Sequence, residues 1–291
     1  MKKILVTGAN GQLGRAVNKE LAGKTDYELV NTDVVDMDGI IKTDITDIDE
    51  IMRLFREVKP YAVLNCAAYT AVDKQEEDVD LSYKINAIGP RNLAVASREC
   101  GARLIHISTD YVFPGDAKEP YKEFDATGPK SIYGKSKLAG ENFVREMAER
   151  YFIIRTAWLY GDGKNFVKTM LKLSENHDSV SVVDDQLGNP TSTIELAKAV
   201  ASLMESDNYG LFHGTCQGIT SWADFTEEIF KQAGKNTKVF HVSTKEYQQK
   251  NPQAAPRPAY SALENYMFSL TGGYEFADWR DALKVYLETM V

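Results

Sequence analysis

A glycine-rich turn near the start of the chain constrains the fold more than any other feature. The segment TGANGQLG, residues 7–14, follows the apolar stretch Lys3–Thr7 and opens a stretch with helical patterning. Glycines here let the backbone turn tightly and approach a pyrophosphate, and the helix N-terminus offers unpaired N–H groups and a positive dipole end. The spacing GxxGxxG is a variant of the dinucleotide-binding fingerprint. It predicts dinucleotide binding, with a turn that serves geometry alone as the alternative.

The rest of the first half alternates short β-rich runs with amphipathic helical stretches, a pattern that predicts βαβ units and a parallel sheet. We therefore predict an α/β fold, a Rossmann-type doubly wound parallel sheet with a smaller C-terminal α/β substrate-binding part. Residues 1–160 are expected to form the dinucleotide-binding domain and residues 161–291 mainly the substrate-binding part. Segments around residues 180–205 are candidates to pack back on the first domain.

Composition narrows the class of partner. The 291-residue chain is 43% hydrophobic and 26% charged, which is typical of a globular protein. Its net charge of −8 disfavours binding to nucleic acid. Neither a secretory signal nor a run of ~20 apolar residues is present, so we expect no membrane partner and a cytoplasmic location. Three cysteines and four histidines show no ligand spacing, so no metal is predicted.

Asp33 follows the second strand candidate and bears on the choice of dinucleotide. A carboxylate at this point accepts hydrogen bonds from the ribose hydroxyls and repels a 2′-phosphate. The next residues, Val34, Val35 and Asp36, include no cation. NAD(H) is therefore the expected cofactor, with NADP(H) as the alternative. Asp44, after the next short strand, is a candidate either to border the adenine or to cap a helix.

The strongest chemical signal lies downstream, where Tyr133 and Lys137 occur four residues apart in a helical stretch. Residues at i and i+4 share one face of a helix, so the two side chains should project together. A nearby ammonium stabilises a phenolate and moves the pKa of tyrosine toward the working range of an acid–base catalyst. A hydroxyl from Ser108-Thr109, at the end of a strand candidate, can orient a carbonyl. Together these side chains would suit the reduction of a ketone. The alternative is that Tyr133 and Lys137 are simply a solvent-exposed pair on the surface of a helix.

Several segments together resemble one family. They are TGANGQLG (residues 7–14), NCAAYTAVDKQE (65–76), HISTDYVFPG (106–115), YGKSKLAGE (133–141), RTAWLYG (155–161) and DDQLGNPT (184–191). In this order they resemble the dTDP-4-dehydrorhamnose reductase family of extended short-chain dehydrogenases, from residue 1 to about residue 290.

The resemblance implies NAD(P)H-dependent reduction of the 4-keto group of dTDP-4-dehydro-6-deoxy-L-mannose, giving dTDP-L-rhamnose. It implies that Tyr133 donates the proton, that Lys137 holds the nicotinamide ribose and lowers the phenol pKa, and that Thr109 positions the keto oxygen. Further implied cofactor contacts are Gly8, Asn10, Gly11, Gln12, Leu13, Asp33, Asp44, Ile45, Cys66, Ala67, Ala68 and Tyr69. Implied contacts to the sugar nucleotide are Thr70, Val72, Thr109, Tyr111, Trp158, Asn165 and Arg257.

Physical arguments support these implied contacts unequally. Arg257, between two prolines, is a rigidly presented cation suited to a diphosphate, with a solvated surface arginine as the alternative. Trp158 suits either the sugar ring or the core. Asn86, in the long helical stretch before Arg103, either supports the site or only makes a hydrogen bond that packs the helix.

One departure concerns assembly, and other functions stay open. Some members of the family carry a glutamate that takes part in a magnesium-bridged dimer where this chain has Ala16. We therefore expect a monomer or a homodimer without a bridging metal. The alternative functions are a ketoreductase or an epimerase acting on another nucleotide sugar, or a non-catalytic NADP(H)-binding regulatory subunit. Retention of Thr109, Tyr133 and Lys137 argues against the last.

Overall fold

The computed structural model describes residues 1–250 and 255–290. Its strands are β1 (Lys2–Thr7), β2 (Tyr27–Asp33), β3 (Ile41–Lys42), β4 (Ala62–Asn65), β5 (Arg103–Thr109), β6 (Tyr151–Thr156), β7 (Leu159–Tyr160), β8 (Ser179–Val183), β9 (Leu187–Gly188), β10 (Thr191–Ser192), β11 (Gly210–His213), β12 (Thr220–Ser221) and β13 (Lys238–Val242). Its α-helices are α1 (Gln12–Leu21), α2 (Ile48–Val58), α3 (Val72–Gln75), α4 (Val79–Tyr83), α5 (Gly89–Cys100), α6 (Ile132–Met147), α7 (Phe166–Ser174), α8 (Thr193–Met204), α9 (Trp222–Gln232), α10 (Thr244–Lys250), α11 (Tyr266–Thr271) and α12 (Trp279–Glu288). A π-helical turn, Lys84–Ile88, joins α4 to α5, and a short 3₁₀-helix, Asp110–Val112, follows β5.

Seven strands form one parallel sheet in the order β11-β6-β5-β4-β1-β2-β3. The strand order reverses between β1 and β4, which is where doubly wound sheets bind their ligands, outside the carboxyl ends of the strands. Thr7 at the end of β1 is level with Asn65 at the end of β4, and Asn65 is level with His106 of β5. The predicted Rossmann-type fold is confirmed.

Helices cover both faces of the sheet because each has one apolar face to bury. On one face Leu13 and Val17 of α1 pack with Leu196 and Val200 of α8. On the other face α2, α5 and α6 cover the sheet. The residues buried in the core on this face include Ile51, Phe55, Leu93 and Val144. Burial of a side chain of this kind stabilises the fold by about 1.5–3 kcal/mol.

The later part of the chain returns to the sheet before it forms its own core. Helix α8 packs on α1, and β11 pairs with β6 as the edge strand. A separate apolar cluster then gathers Tyr160, Phe225 and Trp279. Within residues 1–250 and 255–290, no helix has the length and apolar character needed to cross a membrane. The boundary at residue 160 stays a prediction.

Candidate active site

The glycine turn is held in a shape that requires glycine. Gly8 has φ +64°, and a Cβ there would lie 2.7 Å from the backbone of Ala67. A Cβ on Gly14 would collide with the Gly8 carbonyl oxygen. The turn is fixed to β2 because the Asn10 N–H donates to Asp33 Oδ2 at 3.1 Å. The backbone therefore lies close to the ends of β1, β2 and β4, as a dinucleotide site requires.

A cleft of about 420 Å³ opens at this edge of the sheet. Its size lies within the range of small-molecule sites. The residues implied as cofactor contacts that line it are Gly8, Asn10, Gly11, Asp33, Asp44, Ile45, Cys66, Ala67 and Ala68. Residues in its wall that the sequence did not single out are Thr7, Thr32, Val34, Thr43, Thr46, Leu81, Lys84 and Ile85. The lining and the glycine cradle fit a nicotinamide dinucleotide.

Five residues implied as cofactor contacts do not line this cleft, namely Gln12, Leu13, Tyr69, Tyr133 and Lys137. Gln12 begins helix α1, and Leu13 beside it is 5% exposed within the core. The Tyr69 N–H donates to Asn86 Oδ1 at 2.9 Å, and Asn86 in turn contacts Ser136 of helix α6 at 3.2 Å. Asn86 thus links the Tyr69 segment to α6 by hydrogen bonds, and its support of the site stays a prediction.

Tyr133 and Thr109 meet at the carboxyl end of β5. Ser131 caps helix α6 by accepting from the Gly134 N–H at 3.2 Å, so Tyr133 lies in the first turn of the helix. Loss of water around Tyr133 raises the pKa of its phenol above its ordinary value, and a hydrogen bond with Thr109 acts in the opposite direction. The phenol therefore keeps its proton at neutral pH, as a proton donor must.

Lys137 lies one helical turn after Tyr133 and is 2% exposed. Its ammonium donates to the Ile107 carbonyl at 2.6 Å, and burial lowers its pKa to about 8. We expected this ammonium to lower the pKa of Tyr133. The net shift of the phenol pKa is upward, since desolvation, Asp110 and Tyr111 raise it and Thr109 lowers it, and the lowering by Lys137 stays a prediction.

Asp110 is a site residue that sequence reasoning missed, although it stands directly after Thr109. Its carboxylate accepts from the Thr109 hydroxyl at 2.9 Å and is 2% exposed. Burial raises the pKa of Asp110 to about 6, against hydrogen bonds with Ser261 and Thr109 that lower it. In the structure this contact directs the Thr109 hydroxyl toward Asp110.

Arg257 and Tyr111 join the same group of residues. The rings of Tyr111 and Tyr133 are 5.3 Å apart at 71°, and Arg257 Nη1 lies 3.3 Å from the Tyr111 hydroxyl. Arg257 Nη2 also contacts both carboxylate oxygens of Asp73, at 3.0 and 3.1 Å. Asp73 follows Val72, the first residue of α3, and Thr70 is exposed just before that helix. Arg257 is therefore presented next to Tyr133, but with a carboxylate partner that the sequence did not indicate.

The structure gives two other implied substrate residues mainly packing contacts. Trp158 stacks on Trp222, with ring centroids 3.6 Å apart and 8° between the planes. Asn165 caps helix α7 by accepting from the Lys168 N–H, and its amide donates to the Tyr286 hydroxyl at 2.9 Å. The hydrogen bonds of Asn165 stay within the part of the chain after β6, whereas Trp158 also packs against a buried cluster that includes Val112 and Phe113.

Among the described residues, one group of side chains on the surface has the spacing needed to hold a metal ion. In the ranges 1–250 and 255–290, the carboxylates of Asp224 and Glu227 and the ring of His241 come within 4.8 Å of one another, and all three residues are exposed. Ala16, where a bridging glutamate occurs in some relatives, packs beside the core formed by α1 and α8. The expected absence of a metal stays a prediction.

Proteins with this sheet, a glycine turn at its switch point and a tyrosine–lysine pair beside it are short-chain dehydrogenase/reductases, which are NAD(P)-dependent oxidoreductases. A family model described as RmlD substrate binding domain matches residues 1–291. The chain belongs to the dTDP-4-dehydrorhamnose reductase family and is an oxidoreductase of that family, as the resemblance predicted.

Individual relatives cover nearly the whole chain. A dTDP-4-dehydrorhamnose reductase structure from Clostridium acetobutylicum is 53% identical, covers 99% of both chains and has a TM-score of 0.93. A second, from Bacillus anthracis in complex with NADP, is 42% identical, covers 99% of this chain and 100% of the other, and has a TM-score of 0.93. The spore coat polysaccharide biosynthesis protein SpsK of Bacillus subtilis is 42% identical over 99% of this chain and 98% of its own.

Proposed function

We propose that this protein reduces the 4-keto group of dTDP-4-dehydro-6-deoxy-L-mannose to give dTDP-L-rhamnose. The observation that carries the proposal is the meeting of Thr109, Tyr133 and Lys137 at the strand ends beside the cofactor cleft. Both solved relatives are named as dTDP-4-dehydrorhamnose reductases, in agreement with this substrate. A nucleotide sugar also suits the cytoplasmic location expected from the sequence.

The bound nicotinamide would supply the hydride that adds to C4 of the sugar. Thr109, whose hydroxyl donates to Asp110 in the structure, would turn this hydrogen to the keto oxygen and so position that oxygen near the Tyr133 phenol. Tyr133 would then donate its proton to the oxygen as negative charge develops there. The buried Lys137 ammonium would hold the nicotinamide ribose and favour the phenolate that remains. The N-terminus of helix α1, at Gln12 and Leu13, would present backbone N–H groups to the pyrophosphate, since the Asn10 N–H donates to Asp33 and the Gly11 N–H donates to the Gly8 carbonyl.

A turnover assay with a small panel of nucleotide sugars tests this proposal. Purified protein should oxidise NADH in the presence of dTDP-4-dehydrorhamnose, measured as loss of absorbance at the nicotinamide band. Isomerisation of a sugar without net NADH loss would instead indicate an epimerase. Cofactor binding without turnover of any sugar would indicate a regulatory binding subunit.

Asp33 leads us to propose NADH as the preferred cofactor. Its carboxylate borders the cleft and accepts from the Asn10 N–H, so a 2′-phosphate beside it would meet a fixed negative charge. The Bacillus anthracis relative is in complex with NADP, so kinetics with both dinucleotides test this preference directly. Replacing Asp33 by Asn should lower the KM for NADPH by about tenfold, because removing one nearby like charge is worth roughly 1.4 kcal/mol.

The comparison of kcat/KM for NADH and NADPH, in the wild type and in the Asp33→Asn variant, measures this effect. Asp36→Asn, an exposed aspartate three residues on, is the matched control and should leave the ratio unchanged. A wild type that prefers NADPH would contradict the assignment.

Arg257 is proposed to bind the diphosphate of the sugar nucleotide. An arginine–phosphate contact is charge-assisted and contributes about 1.5–3 kcal/mol. Arg257→Ala should therefore raise the KM for the sugar nucleotide by about 10- to 100-fold, with kcat changed by less than about threefold. Initial-rate kinetics at saturating NADH separate the two constants. Arg53→Ala, at an exposed position of helix α2, is the control; an unchanged KM in Arg257→Ala would rule out this role.

A further inference from the structure

Glu141 is a buried carboxylate that the steps above do not use. It lies on helix α6, and its side chain is 0% exposed. Oε1 accepts from the Ser108 hydroxyl at 2.6 Å and from Arg155 Nε at 2.9 Å. Oε2 accepts from Arg155 Nη2 at 2.8 Å and from Arg145 Nη2 at 2.9 Å. One carboxylate thus joins α6 to β5, which carries Ser108, and to β6, which carries Arg155.

The position of Glu141 relates it to the proposed catalytic residues. Ser108 immediately precedes Thr109, and it is level with Arg155 in the pairing of β5 with β6. Lys137 lies four residues before Glu141 on α6, so the two side chains share one face of the helix. The carboxylate therefore contacts the strand that carries Thr109 and lies one turn from the proposed ribose-binding ammonium.

The charges around Lys137 indicate what this carboxylate does. Burial lowers the pKa of Lys137 to about 8, and the Glu141 carboxylate acts in the opposite direction, as does the Cys66 thiol after β4. His106 on β5 is uncharged at neutral pH because burial and Lys137 hold its pKa well below the ordinary value. Arg145 and Arg155 flank Glu141 with positive charge. Glu141 is thus the fixed anion nearest to Lys137 along its own helix.

A purely stabilising role is a weaker explanation of this arrangement. Burying an ion pair costs desolvation energy that often equals or exceeds the attraction gained, so such a pair contributes little net stability over an apolar replacement. The hydrogen bond from Ser108, by contrast, fixes the spacing of α6 and β5 one residue before Thr109.

We propose that Glu141 is a positioning residue, whose carboxylate fixes the end of β5, which carries Thr109, against helix α6, which carries Lys137. The inference rests on the proposed function, since it takes Thr109 and Lys137 as groups that act on the substrate and cofactor. It adds a pH-dependent consequence that the proposed function alone does not have.

The test is the pH dependence of kcat/KM in Glu141→Gln. Without the anion, Lys137 loses its proton at lower pH, so the alkaline fall in rate should move down by about one pH unit. Glu141→Asp retains the charge and should restore the wild-type position of this limb. Glu146→Gln, the same substitution at an exposed position of the same helix, should leave it unchanged.

A second variant controls for misfolding, because Glu141→Gln leaves the buried Arg155 guanidinium without its carboxylate partner. The double variant Glu141→Gln/Arg155→Met removes both charges and should show a downward shift of the same sign. A lower melting temperature with an unmoved alkaline limb in these variants would reduce Glu141 to a structural residue and overturn the proposal.

Cofactor binding separates this inference from the proposed function. NADH fluorescence titrations across pH 6–10 need no turnover, and NADH binding by Glu141→Gln should weaken at a pH about one unit lower than in the wild type. A wild type that turns over no sugar would contradict the proposed function, yet the titration would still decide the role of Glu141.

Discussion

Replacing Tyr133 by phenylalanine is expected to lower kcat by about a thousandfold. General acid catalysis by a positioned side chain contributes roughly 10²- to 10⁴-fold, and phenylalanine keeps the ring while removing the proton that Tyr133 would donate. The ring contact with Tyr111 should persist. NADH binding should weaken by less than about tenfold, because a single hydrogen bond is worth roughly 1 kcal/mol. Steady-state kinetics and NADH titration of the same preparation measure both effects.

Tyr151→Phe is the matched control for this prediction. Tyr151 is the first residue of β6, at the end of the sheet opposite the cleft, and packs against the core beneath α2, α5 and α6. Its variant should retain wild-type kcat. Undiminished turnover by Tyr133→Phe would remove Tyr133 from the mechanism.

Replacing Lys137 by alanine should harm both affinity and rate. A hydrogen bond from a charged group contributes about 1.5–3 kcal/mol, so the dissociation constant of NADH should rise by about 10- to 100-fold. The rate should fall by about 100-fold as well, because the charge that favours the Tyr133 phenolate is lost. Titration and single-turnover kinetics separate the two losses.

The pH dependence of wild-type activity gives a second, independent test of the role of Lys137. Burial lowers the pKa of Lys137 to about 8, so the ammonium is present below this pH and is lost as the pH rises through it. Activity should therefore fall on the alkaline side near pH 8, and Lys137→Ala should lack that fall. Lys135→Ala, at an exposed position on the same helix, should keep it. A loss confined to either affinity or rate in Lys137→Ala would contradict the double role.

The features that could be predicted from the sequence are those fixed by local pattern. A β-rich run, a glycine turn and a helix leave few other folds for the first 22 residues, and the structure has this unit. The four-residue spacing of Tyr133 and Lys137 places them on one helix face whatever the surroundings. Thr109 could be located at a strand end because its preceding residues read as an apolar strand.

Features that depend on contacts between distant segments could not be predicted in this way. The Arg257 pair with Asp73 joins residues 184 positions apart, and no local pattern encodes it. The sign of the Tyr133 pKa shift depends on how completely water is excluded, which only the packed site reveals. Asn165, which the resemblance implied as a substrate contact, donates to Tyr286, a partner 121 positions away that no local pattern indicates.

The central claim is that hydride passes to C4 of a keto sugar while Tyr133 supplies the proton, and isotope transfer tests it most directly. The protein would be incubated with dTDP-4-dehydrorhamnose and reduced cofactor carrying two deuterium atoms at C4 of the nicotinamide, and the product analysed by NMR and mass spectrometry. We predict one deuterium at C4 of a dTDP-linked 6-deoxyhexose in the wild type, with its formation about a thousandfold slower in Tyr133→Phe. A product without deuterium, or one with deuterium at another carbon, would contradict the account.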